Sequence, residues 1–577
     1  MRERCLQDGP CVCNPLVLWY NLSEHDALFF EGGGKCMKKL PVGLQDFRYM
    51  RENDFAYVDK TSFLFQMIDL GKFYFLSRPR RFGKSLTVST LKYLFQGEKG
   101  LFEDTWIYDR WDWNTRYPVV HISMTDVDTS STDRLEESLY TLLKEIYASF
   151  DLVLDVRLVK DAFRRLLSSV YQKTGQRIAL LIDEYDKPIL DHLHEADQAD
   201  AIRNVLRTFY STIKDADPFL RFVFITGITK FTKAGVFSTL NNLADLTYRK
   251  AYATMLGYTQ EELENTFQTY IQSCCQELDM EPSVLIEKIR QYYNGFSFDG
   301  RRFVYNPFSI LNFFSERAFK NYWFESGSPY FLGQYIRKHQ IEFDKLTDHS
   351  VTESIFSSYE IEAAPPESFL AQSGYLTFKS FDKELGYALD FPNQEVKDSF
   401  NQLILLHAYE LDDHQAGAIR TSIIEGLRSR DFVRIFAQMQ QVFSAIPYHL
   451  YLKREEKKGE TGGIERLERY YHAVLLTLLW GCGIDAVAEE PSNLGRSDLV
   501  IRYGQDVWVL ELKKAYSGQN AKDAAQLGLE QIKSKGYGAR YKDRSLFLVG
   551  IGIDEEKRNL GGFVMESVSL KPIGDGS

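Results

Sequence analysis

The chain has 577 residues, longer than one hydrophobic core ordinarily organises, so several domains are expected. Hydrophobic residues make up 44% and charged residues 26%, and 38 glycines and 16 prolines leave no room for long low-complexity tracts, which excludes a largely disordered or fibrous chain. With 69 Lys+Arg against 80 Asp+Glu the net charge is -11, so a nucleic-acid partner has to be met by a local basic patch and not by the overall field.

Cys5, Cys11, Cys13 and Cys36 precede Met37, whereas Cys274, Cys275 and Cys482 are scattered, which makes neither a disulfide framework nor paired zinc ligands. No run approaches the ~20 apolar residues of a membrane span. Residues 1–36 lack a charged start followed by an apolar run and a small-residue cleavage site, so a cytoplasmic location without a membrane partner is expected. Residues 31–35 (EGGGK) resemble a translated ribosome-binding site just upstream of Met37, which makes Met37 the expected start; the alternative is a short disordered arm beginning at Met1.

From residue 73 to about residue 252, short β-rich runs alternate with amphipathic segments. Residues 73–76 (FYFL), 119–122 (VVHI), 178–182 (IALLI) and 222–225 (FVFI) read as strands, and residues 135–150 and 161–174 as helices. The alternation predicts a parallel sheet covered by helices. In residues 73–95 (FYFLSRPRRFGKSLTVSTLKYLF) the first strand passes through an Arg/Pro/Gly turn into a helix. Backbone N–H groups at such a helix start point at phosphates; Gly83 permits close approach, Lys84 reaches the β- and γ-phosphates, and Ser85 ligates Mg²⁺. The glycine that usually begins this motif is replaced by Arg78. The strand at 178–182 runs into Asp183 and Glu184, at the crevice where α/β sheets bind ligands. Asp183 is placed to hold Mg²⁺ through water, and Glu184 to orient or deprotonate the attacking water. Thr226 either senses the terminal phosphate or is structural. The expected ligands are ATP and Mg²⁺.

Four blocks in order, LPVGLQDFRYMRENDFAYVDKTSFL (40–64), FLSRPRRFGKSLTVSTLKYLF (75–95), LLIDEYDKPIL (180–190) and FITGITKFTKAGVFSTLNNL (224–243), resemble the AAA-ATPase-like proteins, which are common in bacteria and often joined to a nuclease-like domain. In that family SRPRRFGKS is the ordinary form of the loop. The resemblance therefore implies nucleotide binding despite Arg78, and an ATPase fold of the additional-strand type. Arg78, Arg80 and Arg81 either add charge beside the phosphates or pair with Asp54 or Asp59 and stiffen the loop; Arg81 is assigned to binding from its proximity to Gly83.

From about residue 257 to 450 the pattern turns mostly helical, with residues 259–262 (TQEE) reading as an N-cap and first turn. Residues 453–463 (KREEKKGETGG) read as a solvated linker. Then come a helix, three strands, a helix and a strand, at 467–480, 484–489, 498–502, 507–513, 523–535 and 545–551. If Gly504 and Gln505 form a two-residue hairpin turn, Asp498 falls opposite Glu511. The strand period of two then puts Lys513 on that face and turns Trp508, Leu510 and Leu512 away.

This order of elements, with its D…ExK set, resembles the PD-(D/E)xK nuclease superfamily. The resemblance implies that Asp498 and Glu511 hold a catalytic divalent metal, Mg²⁺ or alternatively Mn²⁺, with Lys513 near the attacking water. Glu468, early in the preceding helix, is either an additional metal ligand or a stabiliser of the helix dipole. His472 reads as a satisfied core histidine, and residues 531–537 (QIKSKGY) resemble the glutamine–tyrosine segment of the following helix. Lys513, Lys514, Lys533 and Lys535 are candidates for local phosphate contacts.

The expected architecture is α/β: a leader (1–36), a P-loop AAA-like ATPase domain with a parallel sheet (37–256), a helical middle region (257–452), a linker (453–463) and an αβββαβ PD-(D/E)xK-like domain (464–577). The expected function is ATP binding and hydrolysis that regulates metal-dependent cleavage of nucleic acid. The competing reading is a nucleotide-dependent switch whose nuclease fold binds without cutting. A metabolite kinase finds no acceptor motif, and no feature of the sequence distinguishes DNA from RNA or sets an oligomeric state, although oligomerisation is compatible with the reading.

Overall fold

The computed structural model describes residues 37–568 other than 194, 231–235, 238–239, 241, 326–345, 347–349, 353–354, 356–364, 409–410, 446–462, 493–494, 517 and 542. The chain divides into two units, Met1–Lys39 and Leu40–Ser577, and every element named below belongs to the second.

Strands β1 (Phe73–Ser77), β2 (Val119–Ser123), β3 (Ile178–Asp183), β4 (Leu220–Gly227) and β5 (Ala244–Asp245) form a parallel sheet in the order β2-β3-β4-β1-β5. β1 and β3 are buried along their whole length. Parallel strands covered on both faces by crossover helices read as continuous apolar runs, which is why FYFLS and IALLID carry no alternation. The helices Lys84–Phe95, Thr132–Ser149, Val159–Thr174 and Ala196–Asp215 supply that cover. β4 lies between β1 and β3, the additional-strand arrangement implied by the resemblance. β5 was not anticipated, because two residues carry no periodicity.

The middle region is helical but not wholly so. Thr259 caps the helix Gln260–Thr266 in a capping box with Glu262, as expected from TQEE. Two small antiparallel sheets interrupt the helices: β6 (Phe296–Ser297) with β7 (Phe303–Val304), and β9 (Thr377–Asp382) with β10 (Gly386–Asp390), which also pairs β8 (Ser350–Val351). The β9–β10 hairpin is an addition to the mostly helical pattern expected there. Its TFKSFD and GYALD runs are too short to dominate a pattern set by the longer helices around them.

The C-terminal sheet has the order β11 (Asp485–Ser492), β12 (Gly495–Tyr503), β13 (Asp506–Lys514), β14 (Ser545–Asp554), β15 (Asn559–Val568), with only β13 and β14 parallel. The helix Gly463–Gly481 precedes it, and the helix Ala521–Lys535 makes the crossover from β13 to β14. β15 follows the expected αβββαβ series as one further strand. The β12–β13 hairpin has the anticipated register, Leu499 opposite Leu510 through Tyr503 opposite Asp506, and Gly504 takes the positive φ of 57° that its two-residue turn requires. The expected linker at 453–463 lies outside the described residues except Gly463, which begins the helix.

The even-numbered face of β13 is covered from the middle region. Phe432, in the helix Phe432–Ala445, stacks on Trp508 at 5.7 Å, and Trp508 on Phe547 at 4.1 Å. Arg430 grips Asp506 through Nε and Nη2, both at 2.8 Å. The opposite face carries the helix Ala521–Lys535 so closely that a Cβ on Gly550 would overlap the carbonyl oxygen of Ala525. Gly550→Ala should therefore destabilise the C-terminal sheet by about 3 kcal/mol or abolish soluble expression. Gly417→Ala, in an exposed helical position with nothing near its Cβ, should be neutral or stabilising by about 0.5–1 kcal/mol. Denaturant melts of the two variants check the contrast.

Candidate active sites

The first site forms where β1 turns into the helix Lys84–Phe95. Gly83 is the N-cap in the left-handed region, φ 90°, and among the described residues no side-chain cap bond is made to the first N–H groups of the helix. A helix start with uncapped N–H donors attracts anions. Lys84 is buried, and its Nζ donates to the carbonyl oxygens of Arg78 and Pro79, both at 2.9 Å. Burial pulls its pKa down, while Asp183, Glu184 and Asp186 hold the charge in place.

The structure separates the three arginines. Arg78 is 1% exposed and turned inward: Nη1 donates to the carbonyls of Ser77 (2.9 Å) and Thr247 (2.6 Å), Nη2 to that of Tyr252 (3.2 Å), and the guanidinium lies 3.8 Å from the Phe298 ring centroid. It neither reaches outward to phosphate nor pairs with Asp59, whose carboxylate accepts from the backbone N–H groups of Thr61 and Trp106. Arg80 and Arg81 are exposed on the cleft, with Arg81 at φ 67° and 4.8 Å from the Phe308 ring centroid.

Across the cleft, Asp183 ends β3, its Oδ1 accepting from the Glu184 N–H (3.1 Å) and the Thr226 hydroxyl (3.4 Å). Thr226 is fully buried against Asp183, its hydroxyl turned to that carboxylate. Glu184 has φ 53°, a strained conformation for a non-glycine residue, and its Oε2 accepts from Thr125 Oγ1 at 3.2 Å. A cleft of about 360 Å³ gathers Arg81, Gly83, Lys84, Ser85 and Glu184. Sequence reading passed over Asp186. It is fully buried and accepts from Ile228 N, Thr229 N and Thr229 Oγ1, tying the end of β4 to the loop after β3; its signal was the third carboxylate in IDEYD.

The second site lies where β12 and β13 part. Beyond Leu499 and Leu510 the paired ladder gives way to side-chain bonds: Asp498 N donates to Glu511 Oε2 (3.3 Å), and Leu512 N donates to Asp498 Oδ2 (2.7 Å). Glu511 is 1% exposed, and its Oε1 accepts from Lys513 Nζ (3.2 Å) and from Gln531 Nε2. Gln531 also contacts Tyr537 Oη at 3.4 Å, so the glutamine–tyrosine segment lies at this cluster. Burial first, then the neighbouring Asp498 charge, pushes Glu511 up to about 7. The helix Gly463–Gly481 carries Glu468, whose side chain lies outside the described structure. His472 is buried, as a core histidine is expected to be, and its Nε2 has no hydrogen-bond partner among the described residues. Of the candidate phosphate-binding lysines, Lys514 pairs with Glu555 and Lys533 with Glu566, each at 2.7 Å.

The donor sets fit the groups they suggest. Uncapped N–H donors beside a buried ammonium suit a polyphosphate, and two apposed carboxylates, one reluctant to ionise, suit a hard divalent cation. Among the described residues no cluster of three or more metal-ligating side chains is assembled. No described helix is long and apolar enough to cross a membrane.

Residues 41–237 match the family model described as a predicted AAA-ATPase, and residues 466–562 that of the PD-(D/E)XK nuclease superfamily. The chain is also similar to an uncharacterized protein encoded in the vnfD 5' region of Azotobacter chroococcum mcd 1, at 34% identity over 539 residues, covering 92% of this chain and 99% of that one.

Folded Glu511 keeps its proton up to about 7, whereas the unfolded chain releases it near the ordinary 4.5. Between these values the folded state binds more protons. Without metal, the stability of the C-terminal sheet should therefore fall as pH rises from about 4.5 to about 7, and Glu511→Gln should flatten the profile. Denaturant melts across that window decide it; stability rising with pH in the wild type but not in the variant would reverse the sign.

Proposed function

The chain belongs to the family of predicted AAA-ATPases that carry a C-terminal PD-(D/E)XK nuclease superfamily domain, and on that premise we propose that it hydrolyses Mg²⁺-ATP in the Lys84 cleft and thereby regulates metal-dependent cleavage of nucleic acid at Glu511. The observation that carries this reading is the uncapped helix start at Gly83, with a buried ammonium on one side and the Asp183–Glu184 pair on the other. The proposed domains are 37–256 for the ATPase, 257–452 for the middle region and 464–577 for the nuclease-like part, acting in the cytoplasm.

In this reading Gly83, Lys84 and Arg81 bind the triphosphate, and Ser85 and Asp183 hold Mg²⁺, the latter through water. Mg²⁺, when bound, neutralises charge on the phosphate oxygens. Lys84 exchanges the Arg78 and Pro79 carbonyls for the β- and γ-phosphates. Glu184, steadied by Thr125, orients water for in-line attack on the γ-phosphorus. The bond to the β–γ bridging oxygen breaks, giving ADP and phosphate, while Glu184 accepts the water proton.

At the second site Asp498 and Glu511 would hold the divalent metal through their carboxylate oxygens, and Glu468 would be a further donor. A divalent ion there, Mg²⁺ or Mn²⁺, supplies Lewis-acid stabilisation and an acidified water. Lys513 stabilises the nucleophile and Gln531 orients Glu511. That Glu511 is already satisfied by Lys513 and Gln531 favours a second reading, in which the nuclease fold binds nucleic acid without cutting it.

Lys84→Ala should lose nucleotide binding. Glu184→Gln should bind normally and lose turnover by on the order of 100-fold, about 3 kcal/mol, as measured by phosphate release and fluorescent-nucleotide titration. Asp498→Ala and Glu511→Ala should abolish Mn²⁺ binding in calorimetry, whereas Lys513→Ala keeps it and loses cleavage of a mixed DNA and RNA panel. Absence of any metal-dependent cleavage by wild-type protein, with or without ATP, selects the binding-only reading.

A further inference from the structure

The phosphate-binding loop is held from outside by the middle region. Trp323 Nε1 and Asn306 Nδ2 both donate to the Arg80 carbonyl oxygen, at 3.3 and 3.5 Å. Gly374 approaches Pro79 so closely that a Cβ would come within 2.7 Å of its Cβ, and Phe82 meets the Phe296 ring edge-on at 4.9 Å. Trp323 in turn stacks at a tilt on Tyr375 (5.0 Å), and Tyr375 on Phe400 (5.5 Å). The buried carboxylate of Glu395 accepts from the Trp323 backbone N–H (2.8 Å) and from Ser309 Oγ (3.1 Å). Glu395 and Phe400 belong to the helix Gln394–Ala408, which packs along the helix Gly463–Gly481, with Lys397 over the Trp480 ring at 5.2 Å.

On the proposed nucleotide site, Lys84 is the element that changes partners. Its ammonium now satisfies the Arg78 and Pro79 carbonyls, and binding a phosphate takes it away from both. The loop segment carrying those carbonyls, and the adjoining Arg80 carbonyl, must then redistribute its hydrogen bonds, and Trp323 is bonded to that segment. We infer that Trp323 and Glu395 form a relay that transmits nucleotide occupancy of the Lys84 cleft to the helix Gly463–Gly481, and so to the C-terminal sheet. This rests on the proposed nucleotide site but not on nuclease activity. The relay is tested by its response.

Backbone hydrogen exchange over residues 463–481 reads that response in the full chain, with and without saturating Mg²⁺-ATPγS, while a fluorescent nucleotide reports occupancy. In the wild type, nucleotide should change exchange in this helix by about tenfold. Trp323→Phe keeps the ring and removes the N–H, and should leave binding saturable while reducing the change to less than about twofold. Full binding with no change in residues 463–481 of the wild type overturns the relay, as does an undiminished change in Trp323→Phe. Failure of the wild type to bind nucleotide overturns the cleft assignment and the relay together. Should Trp323→Phe fold poorly by circular dichroism, Glu395→Gln takes its place under the same criteria.

Discussion

A charge held out of water needs hydrogen bonds and opposite charge to replace the water it has lost. That constraint shapes both polar clusters, each at the end of apolar strands. At the first, Arg78 occupies the position where a glycine usually opens the loop, and its guanidinium takes up the carbonyls of Ser77, Thr247 and Tyr252. The loop is thereby anchored from beneath by an inward cation, leaving Arg80 and Arg81 on the outside and Lys84 poised between loop carbonyls and the carboxylates of β3 and its following turn. At the second, burial pushes the Glu511 carboxyl up to about 7, and Lys513 and Gln531 donate to it.

The middle region completes both halves. Its aromatic residues Phe296, Phe298 and Trp323 contact the loop after β1, and its helix Phe432–Ala445 covers the Trp508 face of the C-terminal sheet. The Arg430–Asp506 fork fixes that cover to the start of β13. Leu40–Ser577 forms one compact unit, within which the helix Phe432–Ala445 packs on the C-terminal sheet.

Strand identity and the hairpin register could be read from sequence because both follow from local rules. Apolar runs such as IALLID report burial on two faces, and Gly504-Gln505 between alternating strands sets a pairing that the period of two propagates along the chain. Local chemistry also identified Thr259 as a cap and the residue types gathered at Asp498, Glu511 and Lys513. What tertiary packing decided were the partners: the inward turn of Arg78, the bonds of Asp186 to Ile228 and Thr229, the approach of Gln531 to Glu511, and the Trp323 bond to the Arg80 carbonyl. Those contacts join residues tens to hundreds of positions apart, and no periodicity or turn signal carries information over such distances. The sequence by itself determined which side chains stand at the ends of which strands, because side-chain direction is local. Which buried charge meets which partner was left to the tertiary structure, because desolvation is a property of everything that packs around a group.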